Sequence, residues 1–433
     1  MTAVQDWLEH ALTQVPDEPQ AVQAQRRSAA QTLRSRGLPT RHDEDWKYTS
    51  LKGLDVLPRA DSVSPARVSA DDLNALGAID HPDCARVVFV DGRYAPGLSR
   101  LHGLPQGARL RCWSARLTPD LAHEVLAAAA DADAVDAVNR LFAADGLDLE
   151  LAAGVRIAQP LLVVTLQTNA GGSHLRHRIT LGAGARIQLV EQHLALAATP
   201  GYVVTESTRM DLGVHAALHH VRLQTEAETA SHVSQLHVVQ AERSQFDAQL
   251  LALGAALSRQ EWHVDQRAAG CSAEVRAASL LHGQQHGDVH LRIAHRQPHG
   301  HSRTHVRGVF DDAARGVFTG RVDVLPGADK TDAAMINRNV LLSMAAEVDT
   351  RPQLQIDADD VQCSHGAAVG RLDDDALFYL TARGIAADEA RALLLRAFIV
   401  PALPDIGWAP LTRQIAALLA ARGMPTPDVT EPR

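Results

Sequence analysis

The chain has 433 residues, too long for one compact core and in keeping with two or three domains or an extended repeat fold. Apolar residues make up 46% and charged residues 21%, which excludes a disordered chain; an aromatic share of only 4% leaves the core to Ala, Leu and Val. With 42 basic and 51 acidic residues the net charge is −9, which argues against nucleic acid as the main partner.

Residues 1–150 read as a mostly helical domain. Val4, Trp7, Leu8, Ala11, Leu12 and Val15 keep helical spacing up to Pro16. The same stretch carries acids and lacks the basic and apolar regions of a signal peptide. A second helix is expected over Ala21–Arg36, with Gly37 as its stop and Pro39 just beyond. The polar, aromatic-bearing segment RHDEDWKYTSLKGL follows. ARVVFVDGRY reads as a strand, and Thr118 and Pro119 as the N-cap and first residue of a helix continuing toward Phe142.

Residues 151–372 change period. Ile179 and Leu181, Ile187 and Leu189, Val221 and Leu223, then Val289, Leu291 and Ile293, then Val322 and Val324 alternate with polar neighbours. A sandwich or barrel and a β-solenoid both fit. Hairpin dipeptides are scarce, and short strands with small-residue corners favour a parallel β-helix, although no strict repeat is visible.

Residues 373–433 return to helix. Ala390, Leu393, Leu394, Ala397 and Phe398 form one apolar stripe ending at Pro401. Leu411, Ile415, Leu418 and Leu419 form a second, closed by Gly423, and PTPDVTEPR reads as a frayed tail. The longest apolar approach to a membrane span, RALLLRAFIVPAL, is short and broken by Arg396, so no membrane association is expected.

Enzyme motifs are absent. LPGADKTD (Leu325–Asp332) has Gly327 and Lys330–Thr331 but not the full phosphate-loop spacing, and reads as a turn. HEVLA at His123 lacks the second histidine of a zincin, and neither G-x-S-x-G nor G-x-G-x-x-G occurs. The four cysteines, Cys84, Cys112, Cys271 and Cys363, form no C-x-x-C pair, which points to a reducing, cytoplasmic setting.

Two candidate metal features remain. Seven histidines (282, 286, 290, 295, 299, 301 and 305) crowd one stretch, but without fixed ligand spacing, and surface histidines are the simpler reading. Cys363 and His365 are two apart, so on a strand they share a face about 6.6 Å apart. Together they make only half of a closed site, and packing of Cys363 with backbone bonding by His365 at Gly366 is the simpler reading of the residues alone.

The run from Lys330 to Ile385, KTDAAMINRNVLLSMAAEVDTRPQLQIDADDVQCSHGAAVGRLDDDALFYLTARGI, closely resembles the SufB/SufD family of the SUF iron–sulfur cluster assembly system. EDWKYTSL (Glu44–Leu51) and ARGVFTGRV (Ala314–Val322) support it, and the resemblance spans nearly the whole chain. His365-Gly366-Ala367 in place of His-Glu-Ala, and no cysteine before Cys84, place it nearer SufD than SufB. Ala368 departs from the family's usual threonine.

The resemblance implies a right-handed parallel β-helix between helical domains, with boundaries set at 1–150, 151–372 and 373–433. It implies a non-catalytic scaffold that pairs end to end with SufB, binds the ATPase SufC around Phe378–Phe398, and also forms homodimers. His365, with Cys363 beside it, would contribute to a composite site shared with SufB. A transient Fe or Fe–S cluster would occupy that site in the complex, with no tightly bound cofactor in the isolated chain. Two other readings stand beside it: a β-helix carbohydrate-active enzyme, and a solitary metal binder using the histidine-rich stretch.

Overall fold

The computed structural model describes residues 20–51, 68–113, 125–126, 133–196, 199 and 201–424. The expected helix over Val4–Val15, the helix start at Thr118 and Pro119, and the tail from Pro425 lie outside them.

Strands come in chain order as β1 (Arg86–Val90), β2 (Arg93–Tyr94), β3 (Ala108–Cys112), β4 (Leu147–Leu151), β5 (Leu161–Gln167), β6 (Gly171–Leu181), β7 (Arg186–Ala195), β8 (Tyr202–Leu212), β9 (Ala217–Gln224) and β10 (Ala230–Gln240). They continue as β11 (Gln245–Ala252), β12 (Leu257–Gln266), β13 (Ser272–Leu281), β14 (His286–His295), β15 (His301–Phe310), β16 (Arg315–Val324), β17 (Asp332–Leu341), β18 (Glu347–Ile356) and β19 (Gln362–Gly370). From β4 onward successive strands alternate between two sheets. One is ordered β19-β17-β15-β13-β11-β9-β7-β5-β1-β2 and the other β18-β16-β14-β12-β10-β8-β6-β4-β3. Pairing is parallel except at the start, where β1–β2 and β3–β4 are antiparallel. This is a two-sheet parallel β-solenoid.

Each inward side chain stacks on its equivalent one turn away. Ile187, Leu218, Phe246, Ala273, Ser302, Ala333 and Cys363 form one such row. The inward rows make the main apolar core, with Trp262, Phe318 and Met335 as large members. One corner repeats in shape alone: Gly184, His215, Arg243, Gly270, His299 and Lys330 all take positive φ, between 53° and 71°. Each donates its N–H to a carbonyl of the next turn.

The helices clothe the two outer faces. Helix α1 (Gln20–Arg36) ends at Gly37, with φ 70°, as expected. Helix α2 (Ala70–Ala75) is fixed by a capping box between Ser69 and Asp72. Helix α3 (Ala134–Phe142) starts at Asp133, whose carboxylate accepts from Val135 and Asp136 N–H, and lies on β6 and β8. Arg26 of α1 donates to the carbonyls of Arg140, Leu141 and Ala143, satisfying the open end of α3. Residues 44–49 cross the same face. Trp46 lies on the Arg259 guanidinium at 3.7 Å, and Thr49 donates to Asp288 at 2.6 Å.

At the other end come α4 (Asp374–Thr381), α5 (Ala387–Ile399) and α6 (Ala409–Ala421). Leu395, Ile399, Leu411, Ile415 and Leu419 pack on Val190, Val221, Leu223 and Leu251 of the opposite face. Two expectations shift. The region to residue 150 supplies four strands to the sheets: β1, buried on both faces, as expected from ARVVFVDGRY, and β2, β3 and β4 besides. The buried line of α5 runs through Ala390, Leu395 and Ile399, leaving Leu393 and Ala397 exposed.

Candidate functional site

Among the described residues, nothing covers the last turn of the solenoid. β18 and β19 are the edge strands of their sheets, and neither contains a buried residue, whereas earlier turns are largely buried. Their free edges present unpaired N–H and C=O groups over 10 and 9 residues, a template for further strands. Pro352 sits on the β18 edge, a position proline tolerates. Ile356, Val369 and Met344 leave apolar surface around the opening.

Cys363 and His365 both lie on β19, opposite Ala333 and Met335 of β17. Since Ala333 and Met335 belong to the core, both candidate ligands sit on the inward side of the final turn. The row ending at His365 runs Leu189, His220, Ala248, Val275, Thr304, Met335, His365. Cys363 is half-buried against the core, and burial pushes its thiol up from the ordinary value. His365 is exposed. The structure therefore brings the two together at the mouth of the solenoid.

The histidine-rich stretch is scattered over different surfaces. His286 and His290 face the segment carrying Thr49 and Asp45. His295 is buried, with Nε2 3.0 Å from Ser302 Oγ. His299 forms a corner, and His301 lies 3.6 Å from Asp332. Burial lowers the imidazoles of His286, His290 and His295. LPGADKTD is likewise a corner between β16 and β17, with Lys330 at positive φ paired to Asp360.

A polar cluster that the sequence reading missed lies deep inside, between β7–β10. Glu191 and His193 of β7, His220 and Arg222 of β9, Glu206 of β8 and His232 of β10 are all buried. Arg222 crosses from one sheet to the other. It donates to Glu191 Oε2 at 3.0 and 2.7 Å, to Glu206, to Ser234 at 2.7 Å and to Gln260 at 2.9 Å. Burial pushes the Glu191 carboxyl up, but His220 and Arg222 beside it more than offset this and hold it well below the usual range. Parity was the available signal: in RIQLVEQHLA the inward positions run Ile187, Leu189, Glu191, His193.

Family comparison bears on both ends of the chain. A family model for the SufBD protein N-terminal region matches residues 9–163, and one for the SUF system FeS cluster assembly SufBD core domain matches residues 164–398. The chain belongs to the SufBD family. Among relatives, the iron–sulfur cluster assembly protein SufD of Escherichia coli is 31% identical over 97% of this chain and 96% of its own length. A SufBD family protein of Synechocystis is 28% identical over 92% of this chain and 90% of its own. A chloroplastic protein of Arabidopsis thaliana, ABCI7, is 28% identical over 90% and 84%. The chain is thus a SufD-like member of an iron–sulfur cluster assembly family. No helix among the described residues is long and apolar enough to cross a membrane.

One more SufBD surface is open. α4 has no buried residue, with Phe378 73% and Tyr379 55% exposed. Leu393 of α5 and Val400 at its end are exposed as well.

Proposed function

We propose that this chain is a non-catalytic scaffold subunit of a SUF assembly complex. It adds the free edges of β18 and β19 to a SufB partner and holds the ATPase SufC on α4 and α5. The uncovered last turn carries this reading, because an open solenoid end with long free edges favours strand addition by a partner. Cys363 and His365 would then be enclosed by the partner's end, which supplies the remaining ligands of a shared Fe or cluster site. A second copy of this chain could occupy the same edge as a homodimer. The exposed Phe378, Tyr379 and Leu393 suit an apolar docking surface for SufC. With ATP hydrolysis in SufC, this subunit contributes position rather than chemistry.

The test is replacement of His365 by Ala in the complex reconstituted with SufB and SufC. Cluster formed and iron retained should fall about tenfold or more. Unchanged cluster and iron would remove His365 from the site, and failure of the wild-type chain to co-purify with SufB and SufC would remove the scaffold reading itself.

A further inference from the structure

We propose that Glu191, His193 and Glu206 form a buried binding site for a divalent first-row transition-metal ion, enclosed within the solenoid and separate from its open end. One ligand atom from each of the three lies within 4.8 Å of the others, the only such group of three or more among the described residues. An ion bound at about 2.0–2.2 Å sets its ligand atoms roughly 3–4 Å apart, so only small side-chain movement is required. His193 Nε2 already stands 3.7 Å from Glu206 Oε2.

His193 is the second, independent observation. It is 2% exposed, and neither ring nitrogen has a hydrogen-bond partner. A buried imidazole with both nitrogens unpartnered is costly unless something else engages it. Arg222 does not consume the site: it engages Oε2 of Glu191 and Oε1 of Glu206, leaving the other oxygen of each carboxylate.

A second buried histidine lies beside the site. His232 stands edge-on to His193 at 4.8 Å between centroids. Its Nδ1 meets Glu226 Oε2 at 2.7 Å, and its Nε2 has no partner. Glu226 thus fixes the orientation of His232 beside the three proposed ligands, without His232 being one of them. Glu191 and Glu206 share one guanidinium, that of Arg222, and a bound cation would sit between the two carboxylates. Two carboxylates and an imidazole without thiolate suit Fe2+, Mn2+, Co2+ or Zn2+. Six strand spacings separate β7 from β19, about 29 Å, so this site and the pair at the mouth cannot share an ion.

A site this enclosed loads as the chain folds. The full-length chain is therefore expressed in metal-limited medium supplemented with Co2+, passed over a chelating resin, and assayed for metal and absorption. About one Co2+ per folded chain is expected, with ligand-field bands of oxygen and nitrogen ligation and no thiolate charge-transfer band. His193→Ala and Glu206→Gln should each lower retained metal at least tenfold, while Cys363→Ser and His365→Ala keep it. If the interior variants do not fold, the wild-type stoichiometry and spectrum still decide. Absence of retained Co2+ in the wild type, a thiolate band, or full retention in folded His193→Ala and Glu206→Gln would overturn the site.

Discussion

The turns around β7–β10 and the last turn, β18–β19, are built on the same ladder, yet they treat polar groups in opposite ways. In the middle, Arg222 answers two carboxylates from two sheets within a sealed interior. At the end, Cys363 and His365 occupy inward rows with nothing among the described residues stacked beyond them. A solenoid closes each turn with the next. The final turn therefore leaves its inward-facing side chains available to another molecule.

The largest contrast should appear on cutting into each region. Arg222→Ala strands Glu191 and Glu206 inside the core and should cost about 3–5 kcal/mol, read as a large drop in unfolding temperature or loss of soluble protein. Cys363→Ser should cost no more than about 0.5 kcal/mol. Similar losses at both positions would break the comparison.

A smaller effect separates interior from surface by acidity. His295 is buried, and burial followed by His301 lowers its imidazole to about 4. The unfolded chain takes up the proton first, so this stability is complete above about pH 6.5 and is lost as pH falls toward 4. Gln240 and Gln266 occupy the equivalent positions of the two preceding turns in that sheet. His295→Gln should therefore be more stable than wild type by about 2 kcal/mol at pH 5, with the gain vanishing near pH 7, as followed by urea unfolding at each pH. A pH-independent difference would contradict the burial of that imidazole.

The smallest stability effect is expected at α4. Replacing Phe378 and Tyr379 by Ser should change stability by no more than about 0.5 kcal/mol, since both are exposed, while abolishing capture of SufC. Retained capture would move the docking surface elsewhere.

Much of this arrangement was legible in the residues. Alternation in Val289, Leu291 and Ile293 gave inward faces, and Gly37 gave the end of α1. The repeat itself was hidden because one turn ranges from 26 residues (Ser231 to Leu257) to 32 (Arg315 to Glu347). Its corners conserve a positive φ rather than a residue type, as His215, Arg243 and Lys330 beside Gly184 and Gly270 show. β1 escaped the helical reading of its region only as an isolated apolar run. The pairing of Cys363 with His365 followed from strand parity. The Glu191, His193, Glu206 and Arg222 cluster did not, because it joins residues of different strands in two sheets. The crowding of histidines at 282–305 misled for the converse reason: neighbours in sequence were sent to corners, core and opposite faces.

The central claim is that the free edges of β18 and β19 are completed by a partner strand, and amide hydrogen exchange in the complex with SufB and SufC tests it most directly. Edge amides of 347–356 and 362–370 should exchange freely in the monomeric chain and become protected by about 100-fold or more in the complex, while β7–β10 amides stay protected in both. Unaltered exchange of both edge strands in an intact complex would contradict the account.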